Sequence, residues 1–397
     1  MITMLNKIDC TDKQNQQAFE TKIKLVDGSL NNKLDNNDLE KLLEGAGQYV
    51  SCYNVPHTNL FEGENNYIRM NSDKSIINIL NKIRVNAKPL ADICYVNTGI
   101  QTSADKVTNL HIRKYPHLNL KKGDGIFIFK QDEIAKLSLP NNYLKPMYKN
   151  SDIKQYYSKN FKNNIQRYLV MTNFMLNEKQ FPVFFNYLNK FKEILKNRSQ
   201  MEHVKDWFDL HQIRMKDKNK TGQIKKLIFD EPKIVVPQRS KINTFAYNDI
   251  PWYASADVYF ITAKYLETKE AKFELKYILA VLNSKLYYFW FYHFGKRKGE
   301  SLELYATPLG ETMIYNATQV QKEELVSMVD KILSITQQDN YINNISKNNE
   351  VSRLQYEVDQ ILYKLIKLTA DEVDLIENEY KLIIKNNSLT ETFRIFV

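Results

Sequence analysis

Residues 252–261, WYASADVYFI, place a serine and an aspartate inside an aromatic run. Counted with period two, Trp252, Ala254, Ala256, Val258 and Phe260 fall on one face, and Tyr253, Ser255, Asp257, Tyr259 and Ile261 on the other. That alternation predicts a strand with one face in the core. The second face carries a hydroxyl, a carboxylate and two phenols. It either packs on protein with its polar groups paired, or it meets a polar ligand.

Similar short segments surround this one. Leu90, Ile93, Tyr95 and Val96 suggest a first strand leading to a loop at Gly99, and GDGIFIFK, QRYLVMTNF and PKIVVPQRS read as further strands. Phe184, Leu188, Phe191 and Leu195 have helical spacing, as does SIINILNKI at 75–83, while DLEKLLEGAGQYV at 38–50 suggests a helix ending near Gly45 or Gly47. Toward the C-terminus, Leu325, Met328, Val329 and Ile332 share one helix face. Val351, Leu354, Val358, Ile361 and Leu365 share another. Thr369 with Glu372 forms a capping box opening a short third helix.

The chain of 397 residues is 43% hydrophobic and carries a formal charge of +10, enough for two or three domains and a partiality for anionic partners, nucleic acid before membrane. Cys10, Cys52 and Cys94 make no CxxC pair and the six histidines show no ligand spacing, so no metal site is expected. MITMLNKIDC lacks an apolar signal core. YILAVLNSKLYYFWFYHF is interrupted at Asn283, Ser284 and Lys285 and reads as a buried helix, not a membrane span. A cytoplasmic location is expected.

Catalytic patterns are weak. None of the ten prolines adjoins another, so the Pro-Pro-aromatic loop that an amino-methyltransferase closes on a flipped base is absent. Gly45-Ala46-Gly47 and Gly123-Asp124-Gly125 are lone triplets that turn chemistry explains. Asp257 with Glu274 and Lys276 has the spacing of a metal-dependent nuclease, but FELKYILAVLNSKL reads as a helix, and Glu231-Pro232-Lys233 contains a proline.

Polar islands remain. NTGIQTSADK (97–106), KPMYKNSDIKQYY (145–157) and VPQRSKINTFAYNDIPWYASADVY (236–259) mix cations, hydroxyls, amides and aromatics, and GKRKGE sets three cations between two glycines. Cations and hydroxyls hold phosphates, while Asn, Gln, Arg and Asp address base edges. The candidate DNA-binding residues are Gln101, Thr102, Ser103, Lys106, Lys149, Asn150, Ser151, Gln238, Arg239, Ser240, Lys241, Ser255, Lys296, Arg297 and Lys298. The competing reading makes them turn formers and solvated surface. Asp257 either addresses a ligand or fixes a loop, through backbone N–H groups or through Arg239.

PLADICYVNTGIQTSADKV, LKPMYKNSDIKQY, PKIVVPQRSKINTFAYNDIPWYASADVYFI, LKYILAVLNSKLYYFWFYHFGKRKG and VDQILYKLIKLTADEVDLIE occur in this order. Together they resemble the TaqI-like C-terminal specificity region of adenine-specific DNA methyltransferases, including fused type IIG restriction-modification enzymes, over roughly residues 88 to 380. The resemblance implies an α+β fold: a mixed-sheet DNA target-recognition domain at 88–317 and a C-terminal helical hairpin within 318–397. Residues 1–87 would be the end of a methyltransferase catalytic domain. It further implies double-stranded DNA as ligand and a methyltransferase catalytic subunit as partner, the catalytic domain being on another chain or lost. S-adenosylmethionine would be bound by that partner, and this chain would hold no cofactor and not be catalytic alone. A stand-alone restriction endonuclease and an inactive truncated interaction protein are the alternatives. Ser103 stands where many relatives carry glycine, which leaves the path of that loop open.

Overall fold

The computed structural model describes residues 20–26, 50–56, 61–62, 67–68, 74–161, 164–175, 178–199, 201, 204–213 and 227–394. The chain divides into two compact units, Met1–Asn81 and Lys82–Val397. In the first, β1 (Glu20–Val26) pairs antiparallel with β2 (Val50–Pro56), and β3 (Phe61–Glu62) with β4 (Tyr67–Ile68). The helix expected at 38–50 lies outside the described residues except for Val50, which opens β2. SIINILNKI forms the expected helix within α1 (Lys74–Arg84).

The second unit begins with β5 (Ala87–Pro89), α2 (Leu90–Ile93) and β6 (Cys94–Thr98). The expected strand thus starts four residues late. Leu90 and Ile93 are three apart, a helical spacing, and they close one helical turn after Pro89. Next come α3 (Asn109–Lys114), β7 (Ile128–Phe129), α4 (Gln131–Ile134), β8 (Leu144–Tyr148), β9 (Ile153–Lys154), β10 (Tyr157–Ser158) and β11 (Tyr168–Val170). The Phe184–Leu195 stripe runs over α5 (Pro182–Leu188), the 3-10 turn Asn189–Phe191 and α6 (Lys192–Lys196), and all four of its members are buried.

WYASADVYFI is two strands, not one. After β12 (Lys233–Pro237), β13 (Arg239–Ser240) and β14 (Ala246–Asn248), Tyr253–Ala254 forms β15 and Val258–Ala263 forms β16. β15 lies parallel to β8 in a sheet of order β15-β8-β11-β7, whereas β16 is a central strand of β14-β12-β16-β6. The chain changes sheets at Ser255–Asp257, where Val258 N–H bonds back to Ser255 C=O at 3.0 Å. Gly99 makes this possible: its N–H reaches Val258 C=O at 2.8 Å, and a Cβ there would stand 2.2 Å from the Ser255 carbonyl oxygen. Every residue of β16 is buried, so Tyr259 and Ile261 of the expected polar face are packed, whereas Ser255 and Asp257, in the turn before it, are half-buried.

The polar groups of Trp252 and Tyr253 are paired with protein. Tyr253 Oη donates to the Asp230 carboxylate at 2.8 Å, and Trp252 Nε1 donates to Lys159 C=O at 3.0 Å. Trp252 stacks on Tyr148, which stacks on Phe161, building the core beneath the first sheet.

The lipid-like run forms two buried helices, α7 (Thr268–Asn283) and α8 (Lys285–His293), separated at the N-cap Ser284. β17 (Arg297–Lys298) and β18 (Ser301–Glu303) then form a hairpin that joins β13 in the order β13-β18-β17. α9 (Ala306–Gly310) precedes β19 (Met313–Tyr315), which pairs with β5. The chain ends in α10 (Gln319–Thr336), α11 (Ile345–Leu365) and α12 (Ala370–Arg394). α10 packs on α7 and α11, and both α11 and α12 pack on α8. The expected hairpin is present. The third helix, opened by reciprocal Thr369 and Glu372 hydrogen bonds, is 25 residues long, not short. No described helix is long and apolar enough to cross a membrane. The architecture is α+β with a mixed sheet followed by helices.

Candidate nucleic-acid interface

Three of the four polar islands meet in one groove of about 740 Å³. Gln101, Thr102, Ser103 and Lys106 line it from the loop after β6, Lys149 and Asn150 from the end of β8, and Ser255 and Asp257 from the sheet-changing turn. A second groove, of about 540 Å³, is lined by Ser151, Arg239 and Ser240 and shares Asn150 with the first.

The first loop is tightly held. Gln101 exchanges backbone hydrogen bonds with Gln212, both at 3.0 Å, which fixes its main chain and leaves its side chain half-buried at the groove. Thr102 is buried, and its hydroxyl donates to the Asp105 carboxylate while accepting from Ala104 N–H at 3.2 Å. Its carbonyl accepts from Arg198. Thr102 therefore shapes the loop. Ser103 adopts φ +59°, the left-handed region that favours glycine, and its Oγ lies 3.2 Å from His211 Nδ1. The loop keeps a glycine-like path with a serine in it.

The groove also contains residues outside the expected set. Asp105 lies between Lys106, Lys149 and Asp257; the residue reaches solvent, yet protein crowds its carboxyl enough that desolvation raises its pKa, with Asp257 adding to the shift. Leu110 and His111 of α3 form one wall, and Arg167 another. Arg167 pairs with the buried Asp152, whose other role is to accept from Lys149 N–H at 2.9 Å. Its position just before an apolar strand was the only local cue. Asp257 does not pair with Arg239: its carboxylate accepts from Ser255 Oγ, and its main-chain carbonyl accepts from Gln238 N–H at 2.8 Å. Of the two expected routes, the pairing with Arg239 is not made, and a backbone N–H is accepted, by the main-chain carbonyl and not by the carboxylate.

Arg239 instead faces Glu303 in the β13–β18 register. Its Nε donates to Glu303 Oε1 at 3.1 Å and its Nη2 to Tyr305 Oη at 2.8 Å; Tyr305 Oη donates to the same Glu303 oxygen at 2.9 Å. Lys296 Nζ lies 3.4 Å from Glu303 Oε2. Desolvation pulls the Glu303 pKa upward, but the hydrogen bonds from Tyr305, Arg239 and Lys296 outweigh it and hold the carboxyl below its ordinary range. Arg297 and Lys298 are exposed on β17, with the Arg297 guanidinium 4.0 Å from the Tyr292 ring centre. The hairpin thus extends the cationic surface outward from Arg239.

Other expected residues are structural or marginal. Ser240 Oγ bonds Thr244 Oγ1 at 2.8 Å, Gln238 is bound through its backbone, and Lys241 is half-buried. Further along the third island, Asn243 is fully buried and donates to the carbonyls of Leu282 and Ser284, while Asn283 pairs with both backbone groups of Phe245. These amides close the end of α7. Glu274 and Lys276 are committed to Lys322 and Asp330 across α7 and α10, at 2.8 and 2.5 Å. The Gly123–Gly125 triplet exchanges backbone bonds with Val107 and is a turn.

A family model described as the TaqI-like C-terminal specificity domain matches residues 136–309. This is narrower than the 88–380 read from the sequence: the first and last of the five blocks lie outside it. No curated protein matches the chain. Among solved structures, the type IIL restriction-modification enzyme MmeI, determined in complex with DNA, is similar in fold at 13% identity and TM-score 0.50, over 86% of this chain and 40% of that one. The type IIG restriction endonuclease BpuSI has 11% identity and TM-score 0.38, over 87% of this chain and 40% of that one. The HsdS subunit from Thermoanaerobacter tengcongensis has 7% identity and TM-score 0.27, over 74% and 51%. The chain thus spans about two fifths to one half of the length of these proteins. Residues 136–309, rather less than half of the chain, are thus similar to a TaqI-like C-terminal specificity domain.

Proposed function

We propose that the groove face binds double-stranded DNA and reads its sequence, as the specificity part of an adenine-specific DNA methyltransferase in a restriction-modification system. The methyl-transfer chemistry and its S-adenosylmethionine belong, in this reading, to a catalytic partner.

The observation that carries the proposal is the convergence of three sequence-distant islands in one groove. Strands whose core faces are buried hold its walls, so Gln101, Lys149 and Ser255 are displayed from a rigid frame. The Arg297–Lys298 strand, joined through β18 to the strand that lines the second groove, supplies exposed cations of the kind that bind phosphates without regard to sequence. Base-edge chemistry in the groove and phosphate chemistry beside it are the two parts a duplex reader needs.

The test uses the full chain and a duplex pool with a randomised centre. The bound fraction is sequenced, and the binding constant is followed against salt. A defined motif is expected, together with a log–log slope of several phosphate contacts. Gln101→Ala should relax one or two positions of the motif and leave thermal stability unchanged, because the Gln101 backbone bonds persist. Absence of any enriched motif, with heparin bound as tightly as duplex, would overturn the proposal.

A further inference from the structure

The Arg239–Glu303 pair raises a question of charge. A surface evolved only to attract phosphates gains nothing from a carboxylate among its cations, because each negative group offsets one counterion-releasing contact. Yet Glu303 is only 5% exposed and is engaged by three donors, two of them cations: Arg239 of β13 and Lys296 just before β17. A buried carboxylate with that many partners holds geometry more firmly than a solvated ion pair does.

What it holds is one edge of a guanidinium. Nε and Nη2 of Arg239 are engaged by Glu303 and Tyr305, whereas among the described residues nothing engages Nη1. The group is planar, so fixing the Nε–Nη2 edge against Glu303 directs the Nη1 hydrogens away from the carboxylate. The Arg239 residue itself remains exposed, at the second groove and two strands from Arg297–Lys298. Adjacent strands lie about 4.8 Å apart, which sets the β13 and β17 backbones roughly 10 Å from each other across the ribbon. A base contact from one strand and a phosphate contact from the other are the two kinds of contact that a duplex reader combines.

We propose that Glu303 is a positioning residue for base recognition: it clamps the Nε–Nη2 edge of Arg239 so that Nη1 addresses a guanine edge in bound DNA. This rests on the reading of the groove face as a DNA-recognition surface. Guanine is the base implied because its O6 and N7 acceptors in the major groove match an arginine donor, and an unclamped arginine turns as easily to a phosphate.

The experiment compares wild type with Glu303→Ala, Glu303→Gln, Arg239→Ala and Arg239→Lys, each as the full chain. Two readouts are taken: the motif selected from randomised duplexes, and affinity for poly(dA-dT), which has no guanine edge. Glu303→Ala and Arg239→Ala should lose the same guanine position. Glu303→Ala alone should also raise affinity for poly(dA-dT) several-fold, because Arg239 and Lys296 are released toward phosphates. Glu303→Gln keeps an acceptor for Nε, so it should retain much of the guanine preference while still binding poly(dA-dT) more tightly. Arg239→Lys should lose the position as alanine does.

A merely structural Glu303 predicts the opposite: weaker binding to every sequence, in step with lost thermal stability. That result, or a guanine preference that survives Glu303→Ala, overturns the proposal. If Glu303→Ala does not fold, Glu303→Gln decides, since a fall in its poly(dA-dT) affinity also overturns it. A wild-type chain that selects no motif overturns instead the reading on which the proposal rests.

Discussion

Asp359 of α11 accepts a hydrogen bond from the backbone N–H of Lys285 at the first turn of α8, at 3.0 Å across 74 residues of sequence. The carboxylate caps a helix on another element, and Lys285 Nζ stands 3.8 Å from it and 2.8 Å from Glu377. Burial drives the Asp359 pKa up to about 7 from its ordinary 3.8, although the Lys285 contacts oppose the shift. The folded value exceeds the unfolded one, so the folded state holds more protons between them. The contribution of this group to stability is therefore fully present below about pH 3.8 and lost as pH rises through about 7. Asp359→Asn, which keeps the acceptor, should flatten the loss of stability between those values. Urea midpoints of both proteins at pH 5 and pH 8 check this: the wild-type-minus-variant difference should become more unfavourable at pH 8.

Ser103 should be replaceable by glycine more safely than by alanine. Its φ of +59° disfavours any side chain by about 1–2 kcal/mol, and the His211 bond returns roughly 1 kcal/mol. Alanine keeps the strain and loses the bond, whereas glycine loses the bond and the strain together. Denaturant titration should place Ser103→Gly about 1 kcal/mol above Ser103→Ala. Equal stability of the two would show that the backbone is not held as described.

The ribbon cations should not contribute equally to salt dependence. Lys296 is paired with Glu303, while Arg297 and Lys298 are exposed on the strand. The double change Arg297→Ala with Lys298→Ala should reduce the slope of log K against log salt by roughly 2 units. Adding Lys296→Ala should change it by much less. Anisotropy titrations of a fixed duplex at four or five salt concentrations would resolve the two steps.

Gly99→Ala should be far worse than Gly123→Ala. The added methyl would meet backbone carbonyls at 2.2 and 2.4 Å, which cannot yield without moving the sheet change. A loss of about 3 kcal/mol or more is expected, against roughly 1 kcal/mol at Gly123, where φ is +92° but the space is open. Melting curves of the two variants make the comparison; similar curves would count against the packing at Ser255.

Much of the scaffold was legible because its signals are local. The hairpin helices show apolar residues at every third or fourth place, and Leu325, Val329 and Ile332, like Leu354 and Val358, are buried as that spacing implies. The sheet change was not legible, because the alternation of β15 continues in phase through the turn into β16. The length of α12 was hidden by polar residues on most of its surface. Glu303 lies in SLELY, where alternation assigns it to solvent; its burial arises only when β18 pairs with β13, more than sixty residues away. Nor could sequence separate Thr102 and Asn243, whose polar groups serve the fold, from Gln101 and Lys149, which line the groove. The composition of those residues is alike, and only their burial differs.

The island residues lining the first groove come from places where strands stop: Thr98 gives way to the 101–106 loop, Tyr148 to Lys149, and Ala254 to Ser255. Beyond those stopping points Gln101, Lys106, Lys149 and Ser255 are half-buried or exposed. Changing Lys106, Lys149 or Ser255 would alter what the groove addresses while leaving the strand interiors untouched. The molecule is in this sense a type-holder with exchangeable letters, and a swapped loop carries its preference with it only if Gly99 continues to let the chain cross from one sheet to the other.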